Sequence, residues 1–353
     1  MLVREESARL QVPKNSLSDP FHSKVFYNPR MRFNRSLSSL AAGASGAKTA
    51  CDGLCASGAR GIRYFLENGL DSVDFVDANP DAAGAARENV EFNSVNGEVL
   101  EGGFNERLEK KYDWVELDPF GSPAPFLEAA FKHAKKFVSI TATDLANLCS
   151  AHKERQAVCR RVYGAEPLHC PFSHELALRI LVAKCVRVAE ECGMTARPVL
   201  SFYEGHATKT VLRLGVGGGS RKECFVSFDG AEARVAGEGA GPLWAGDLCD
   251  SSFLQKCIEI NCRGYADEKR IAKALELLEG ECGLPPYYYD LHALSDFFGV
   301  ETPSKKKVLE ALRSPGYRAV ETHFAPTGIK TNAPFKELAQ MFTSSSSAFL
   351  SSR

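Results

Sequence analysis

No run in this 353-residue chain approaches the ~18 apolar residues of a membrane helix. Its start, Met1-Leu-Val-Arg-Glu-Glu6, has neither the basic opening nor the apolar core of a secretion signal. A cytoplasmic protein that touches no membrane is expected. No C-x-x-C pair occurs, so the usual knuckle of a structural zinc site is missing and no metal is expected. The twelve cysteines are dilute at this length, and Cys149, Cys185, Cys192 and Cys257 fall in apolar or helical stretches, which reads as reduced thiols rather than a secreted disulfide scaffold. An excess of charge is missing too. With 43 Lys and Arg against 44 Asp and Glu, the net charge is -1, so no global field advertises a polyanionic partner and any nucleic-acid surface must be a local patch.

What is present is an ordinary globular composition, 44% hydrophobic and 25% charged, with length for two domains. After a polar N-terminal segment, β-branched and apolar runs flanked by glycine predict strands at 48–52, 72–77, 98–100, 114–117, 137–141, 198–203 and 209–214. Helical patterns at 59–67, 81–93 and 124–133 separate the first five, which implies a parallel, doubly wound α/β sheet. A long helix with a Ser173 cap is predicted over 173–192. Only residues 204–208 join the last two strands, too few for a crossover helix, so that pair should be antiparallel. A mostly parallel sheet ending in an antiparallel strand is the Rossmann-like arrangement of class I methyltransferases. The glycine run 215–219 reads as a break between a domain over 1–216 and a smaller α+β domain over 217–345, with helices near 252–260, 267–278 and 305–314. The serine-rich end from Thr343, with a tail at 346–353, reads as frayed.

The first strand runs into Asp52-Gly-Leu-Cys-Ala-Ser-Gly-Ala-Arg-Gly61, where Gly53, Gly58 and Gly61 would let the backbone approach a ligand. A plain tight turn is the alternative. Asp77 closes the second strand, where a carboxylate can accept from both ribose hydroxyls of an adenosine; its other reading is a helix cap. Arg35, Arg60 and Arg63 are the candidate partners for a methionine carboxylate, or else solvated charges.

Asp118-Pro-Phe-Gly-Ser-Pro-Ala-Pro125 closes the fourth strand and resembles the D/N-P-P-F/Y element of amino-group methyltransferases. The chemistry accounts for the residue types. An aromatic exocyclic amine has its lone pair drawn into the ring, so it must be held by acceptors and offered in line to a sulfonium methyl. The Asp118 carboxylate and the Pro119 carbonyl supply acceptors, and Phe120 can stack on the base. The alternative is a proline-rich turn, disfavoured by its place at a strand end where ligands bind. His152, His169 and His174 near Cys149, Cys159 and Cys170 raise a metal or Cys-His reading, which their irregular spacing opposes.

Taken together, these pieces resemble the tRNA guanine-26 N2-dimethyltransferases of archaea and eukaryotes. The matching segments are Phe26-Tyr-Asn-Pro-x-Met-x-x-Asn-Arg35, Asp52-Gly-Leu-Cys-Ala-Ser-Gly-Ala-Arg60, Asp118-Pro-Phe-Gly-Ser-Pro-Ala-Pro-Phe126, Thr141-Ala-Thr-Asp144, His174-Glu-x-Ala-Leu-Arg-Ile-Leu181, Gly241-Pro-Leu-Trp244 and Thr322-His-Phe-x-Pro-Thr-Gly-Ile-Lys-Thr331. The resemblance implies S-adenosylmethionine as cofactor and tRNA as partner. It also implies Arg35, Arg60 and Asp77 as cofactor ligands, Asp118 as the catalytic carboxylate, and Phe26 with Phe120 as a clamp on a flipped guanine. Three departures stand out. The family's N-R-D reads Asn34-Arg-Ser36; the paired cysteines of many members before Gly-Pro-Leu-Trp are reduced to Cys224; and Gly102-Gly-Phe-Asn105 replaces an acidic adenine contact, leaving the Phe104 backbone to serve.

A stacked or paired guanine must be extruded before its N2 can react, which requires a grip on the RNA backbone. Candidate basic groups are Lys132, Lys135 and Lys136; Lys153, Arg155, Arg160 and Arg161; and, with motif context, Lys305 to Lys307, Arg318, His323 and Lys330. The reading is a monomeric methyltransferase adding one and then a second methyl to guanine N2. Its rivals are an adenine N6 or protein amide methyltransferase, and a catalytically silent RNA-binding module.

Overall fold

The computed structural model describes residues 1–217 and 221–350, with side chains to Thr343. Its N-terminal segment is more regular than its polarity predicts. Strands β1 (Leu2–Glu5) and β2 (Ala8–Gln11) form an antiparallel hairpin, and helix α1 spans Arg32–Ser45. The polar residues of α1 misled the pattern because Asn34, Arg35, Ser36, Ser38 and Ser39 are buried against charges from other elements.

The central sheet follows: β3 (Thr49–Gly53), α2 (Ala59–Asn68), β4 (Ser72–Asp77), α3 (Pro80–Phe92), β5 (Val99–Glu101), α4 (Phe104–Arg107), β6 (Tyr112–Leu117), α5 (Leu127–His133) and β7 (Ala134–Ala142). Then come α6 (Leu145–Leu148), α7 (Lys153–Tyr163), α8 (Ser173–Glu191), β8 (Met194–Glu204) and β9 (Ala207–Val216). The seven strands lie in the order β5-β4-β3-β6-β7-β9-β8, parallel except that β9 pairs antiparallel with both β7 and β8. This is the Rossmann-like methyltransferase sheet. Successive strands run outward from β3 in one direction, then from β6 in the other. The crevice beyond the carboxyl ends of β3 and β6 is therefore the switch point where such sheets take ligands. Every residue of β6 is buried, as expected of a strand covered on both faces.

Helix α8 is buried on nearly all sides, packed on β8, β9 and a later strand, which explains its long apolar run. Its N-cap is Phe172 with no side-chain bond; Ser173 is the first helical residue rather than the cap.

Beyond the sheet lie β10 (Glu223–Phe228), β11 (Ala233–Ala236), β12 (Ala240–Trp244), α9 (Ser251–Glu259) and α10 (Glu268–Glu281). They are followed by β13 (Tyr289–Asp290), α11 (Leu291–Phe298), α12 (Lys305–Arg313), β14 (Ala319–Glu321), β15 (Gly328–Thr331) and α13 (Phe335–Leu350). Two small antiparallel sheets result, β11-β10-β12 and β13-β15-β14. The main apolar core continues past the glycine run through Val226, Leu243, Phe253, Leu254 and Ile271, while Leu291, Leu294, Val308, Leu312, Ile329 and Phe342 build a second one. Part of the expected glycine break, residues 218–220, lies outside the described residues, as do 351–353 of the tail. The stretch from Thr343 that was expected to fray continues α13 to Leu350. Among the described residues, no helix is long and apolar enough to cross a membrane.

Candidate active site

At the carboxyl end of β3 the chain turns through Leu54 and Ala56, both at positive φ, to Gly58 at φ 74°, which starts α2. Only Gly58 is needed for its backbone conformation. At Gly53 and Gly61 packing also requires a glycine. A Cβ on Gly53 would come within 2.4 Å of the Phe104 ring, and one on Gly61 within 2.5 Å of Phe75. These two glycines make room for protein side chains. Asp52, 3% exposed, accepts from the Gly61 amide at 2.8 Å and so closes the turn; burial pushes its carboxyl up to about 7. Phe104, 2% exposed, fills the floor beneath Gly53.

Asp77 ends β4 at the rim of this turn. Its Oδ2 accepts from the Ala56 amide at 2.8 Å and its Oδ1 from the Asn79 amide at 2.9 Å, while Asn79 is the residue that caps α3. The helix-cap reading of Asp77 is thereby replaced. The carboxylate is fixed beside the turn with a lone pair on each oxygen left for a further donor.

Asp118 follows β6 directly, across the crevice from the turn. The Arg60 guanidinium bonds it, while also donating to Asn34 Oδ1 at 3.1 Å and Ser38 Oγ at 3.0 Å and facing Glu116 at 3.5 Å. Arg60, expected to meet a cofactor carboxylate, is here turned to Asp118, with α1 and β6 supplying its other acceptors. Burial alone would raise the Asp118 carboxyl; Arg60 and Lys209, with hydrogen bonds from Arg60 and Thr141, outweigh it and hold the group below its ordinary value. Beneath lies an ion pair between Lys209 and Glu116, both 0% exposed, with Tyr64 donating to Glu116 Oε2 at 2.7 Å. The loop after Asp118 is clamped: the Gly121 amide donates to Thr143 Oγ1 at 2.7 Å, and Ser122 Oγ to Tyr163, whose hydroxyl donates to Asp144 at 2.7 Å. The Thr141-Ala-Thr-Asp144 motif therefore serves to hold the acceptor loop.

Pro119 is buried and Phe120 is 67% exposed. Phe26 meets Phe120 edge to face at 4.8 Å, and Phe21 lies 5.7 Å from Phe26 and 6.1 Å from Phe120. A base sandwiched between two rings needs roughly 7 Å between them. Phe26 and Phe120 accordingly leave no room for a base between them here, and Phe120 stays mostly exposed.

Arg35 is 6% exposed and paired with Glu5 at 2.5 Å, with a further bond to the Asn28 carbonyl at 3.0 Å. Arg63 meets the same Glu5 at 3.1 Å and Ser36 Oγ at 3.0 Å, so the serine that replaces the family's acidic residue has become an acceptor for arginine. Two of the RNA contacts expected between residues 305 and 330 are internal. Lys330, 1% exposed, pairs with Glu175 at 2.5 Å, and the His323 side chain, 7% exposed, with Glu281 at 2.8 Å. Neither has an open side for a phosphate. Arg318 is exposed, but one of its nitrogens donates to the carbonyls of Gly280 and Cys282. Lys132, Lys136, Arg160 and Lys305 are likewise in ion pairs. His174 stacks on Tyr203 at 4.1 Å, and among the described residues no group of three or more His, Cys, Asp or Glu is placed to hold a metal ion.

A family model described as N2,N2-dimethylguanosine tRNA methyltransferase matches residues 6–231 and 221–343. The chain belongs to that family. The tRNA (guanine(26)-N(2))-dimethyltransferase of Thermococcus kodakarensis is 32% identical over 96% of this chain and 98% of its own length. That of Pyrococcus horikoshii is 32% identical over 95% and 96%. The solved complex of Trm1 from Pyrococcus horikoshii with S-adenosyl-L-methionine superposes with a TM-score of 0.87 at 31% identity, covering 96% of this chain and 99% of that one.

Within this family member, sequence reasoning missed Glu5, Tyr64, Glu116, Lys209 and Phe21. Glu116 and Lys209 did carry a signal, each being a charge inside a strand, although β6 also carries Asp113 and β9 also carries Arg213. Phe21 carried none, being one aromatic in an irregular segment.

Proposed function

We propose that the protein is a tRNA (guanine(26)-N2)-dimethyltransferase that takes its methyl groups from S-adenosylmethionine and places first one, then a second, on the exocyclic N2 of the guanine. The observation that carries this reading is the placement of Asp118, held ionised by Arg60 at the switch point of the sheet, two residues before the exposed Phe120. When bound, S-adenosylmethionine would supply an electrophilic sulfonium methyl, to whose carbon the amine nitrogen would bond in line as the carbon–sulfur bond breaks and S-adenosylhomocysteine leaves. The residues of this chain do the rest. The Asp118 carboxylate and Pro119 carbonyl accept from the amine and aim its lone pair, and Asp118 takes the proton that the nitrogen sheds. Phe120 stacks on the extruded base. No covalent enzyme intermediate is required, and the second transfer needs the monomethyl product to rotate or rebind.

The residues present fit the cofactor. Asn34 Nδ2 is a buried amide donor with no partner among the described residues, which an acceptor brought by a ligand would satisfy. In this reading the Asp77 carboxylate accepts from the ribose, the Phe104 backbone faces the adenine, the turn at residues 53–58 underlies the cofactor, and Arg35 holds its carboxylate from the pair with Glu5. The lobe built on the second apolar core, within the proposed 217–345 domain, would then steady the tRNA, with Arg318 on its surface. The enzyme is read as a cytoplasmic monomer.

Incubation with tRNA and labelled cofactor, then digestion to nucleosides, should yield N2-methyl- and N2,N2-dimethylguanosine. Label in N6-methyladenosine, or in protein instead of tRNA, would overturn the assignment. Asp118→Ala should abolish transfer while tRNA binding stays within a few-fold.

A further inference from the structure

Phe21 is 66% exposed at the mouth of the site, and its ring leans on both Phe26 and Phe120. It is not a loose end. The 3-10 turn Pro20–His22 that carries it is pinned on either side by buried Ser16 and by Val25 and Tyr27, and Asn79 Nδ2 donates to the Lys24 carbonyl at 3.1 Å. A large ring held outward by a fixed backbone keeps its apolar surface available to a partner.

The same strap is locally basic. Lys14, Lys24 and Arg30 are exposed and have no ion-pair partner among the described residues, and the acidic residue between them, Asp19, faces His22 at 2.9 Å. The cations expected to grip RNA in the C-terminal part are mostly paired off, whereas these are not. An exposed aromatic flanked by unpaired cations, continuous with the base-accepting face of Phe120, has the composition of a single-strand nucleic-acid platform, in which rings take bases and cations take phosphates.

We propose that residues 14–30 form an RNA-docking strap in which Phe21 stacks on the nucleotide next to the extruded guanine while Lys24 and Arg30 contact the flanking phosphates. The extruded base takes Phe120 and its neighbour takes Phe21, so the strap stabilises the unstacked RNA that methyl transfer requires. This rests on the reading of tRNA as substrate.

The test measures equilibrium binding of an unmodified tRNA transcript to the full-length protein, with methyl transfer measured separately. Phe21→Ala and Phe21→Leu should each weaken tRNA binding roughly tenfold to a hundredfold, whereas Phe21→Tyr, which keeps the π face, should stay within about twofold. Binding of S-adenosylmethionine alone should not change in any of them. The double variant Lys24→Ala with Arg30→Ala should flatten the slope of log K against log salt by about 1 for each phosphate it no longer neutralises. A Phe21→Leu variant that binds like the native protein would show that only apolar packing matters and would overturn the proposal, as would an unchanged Phe21→Ala or a native protein that does not bind tRNA. Should the native protein bind tRNA but methylate some other group, the proposed reaction fails while the binding comparison still decides the strap.

Discussion

Thr141 and Lys209 sit directly opposite each other across the antiparallel pair β7 and β9, and the Lys209 ammonium donates to the Thr141 hydroxyl at 2.9 Å. Because that oxygen accepts from lysine, its own proton is left to donate to Asp118. The lone antiparallel insertion in a parallel sheet thus delivers a buried cation to the floor of the site. Lys209 in turn meets Glu116, so the charge beneath Asp118 is itself compensated, and burial pulls the lysine down from its ordinary value despite that partner.

The first prediction tests this support. Thr141→Val keeps the side-chain shape but removes the hydroxyl, so Asp118 loses a hydrogen bond to its charged form and its carboxyl should rise toward the ordinary range. Transfer needs the carboxylate, so the acid limb of the kcat profile should move to higher pH by roughly one unit. At neutral pH, where the group stays ionised, the loss should be less than about tenfold. Thr141→Ser should restore the native profile. An acid limb that stays in place in Thr141→Val would mean that the hydroxyl only fills space.

The second concerns Asp77, whose two oxygens already accept from Ala56 and Asn79. In Asp77→Asn the amide end cannot accept, so one of those bonds is broken and half of the remaining capacity is lost. Affinity for S-adenosylmethionine should fall by roughly tenfold or more, as expected for a hydrogen bond to a charged group. The Kd for tRNA should hold. Calorimetry with cofactor and a separate tRNA titration distinguish these; an unchanged cofactor affinity would leave Asp77 as a brace for the turn alone.

Legibility of the chain followed the locality of each signal. All seven sheet strands were readable because β-branched, apolar runs between glycines depend on neighbours in sequence. The positions of Asp77 and Asp118 were readable for the same reason, as ends of strands. What Arg60, Lys330 and His323 face was not readable, since their partners Asp118, Glu175 and Glu281 lie 58, 155 and 42 residues away. A lysine in a loop motif looks the same in sequence whether it ends in water or, as Lys330 does, in the core. Helix α1 was hidden by the same physics: its serines, asparagine and arginine look like a solvated face and are instead the inner lining of an ion-pair network. Glycine was half legible. A glycine was required at positions 53 and 61, but the group that needed the space was Phe104 in one case and Phe75 in the other.

The network around α1 gives the last prediction. Glu5 on β1 pairs with Arg35 and Arg63 and accepts from Tyr27 at 2.8 Å. Burial would raise its carboxyl, but Arg35 and then Arg63, with the Tyr27 hydroxyl, lower it to about 2 from an ordinary 4.5. A folded value below the unfolded one means that the unfolded chain binds the proton more readily. The stabilisation is therefore fully present above about pH 4.5 and is lost as pH falls toward 2, and the shift corresponds to something on the order of 3 kcal/mol. Glu5→Gln leaves the buried Arg35 guanidinium without its counter-charge, while Arg63 keeps Glu67 at 2.8 Å, and should cost roughly 3 kcal/mol at pH 7. Glu281, also lowered to about 2, adds acid sensitivity to both proteins alike, so the informative quantity is the difference between them. Urea unfolding of native and Glu5→Gln protein at a series of pH values should show a gap that is constant from pH 7 to about 5 and narrows steadily below it. A gap independent of pH down to 3 would mean that Glu5 contributes by packing and not as an anion.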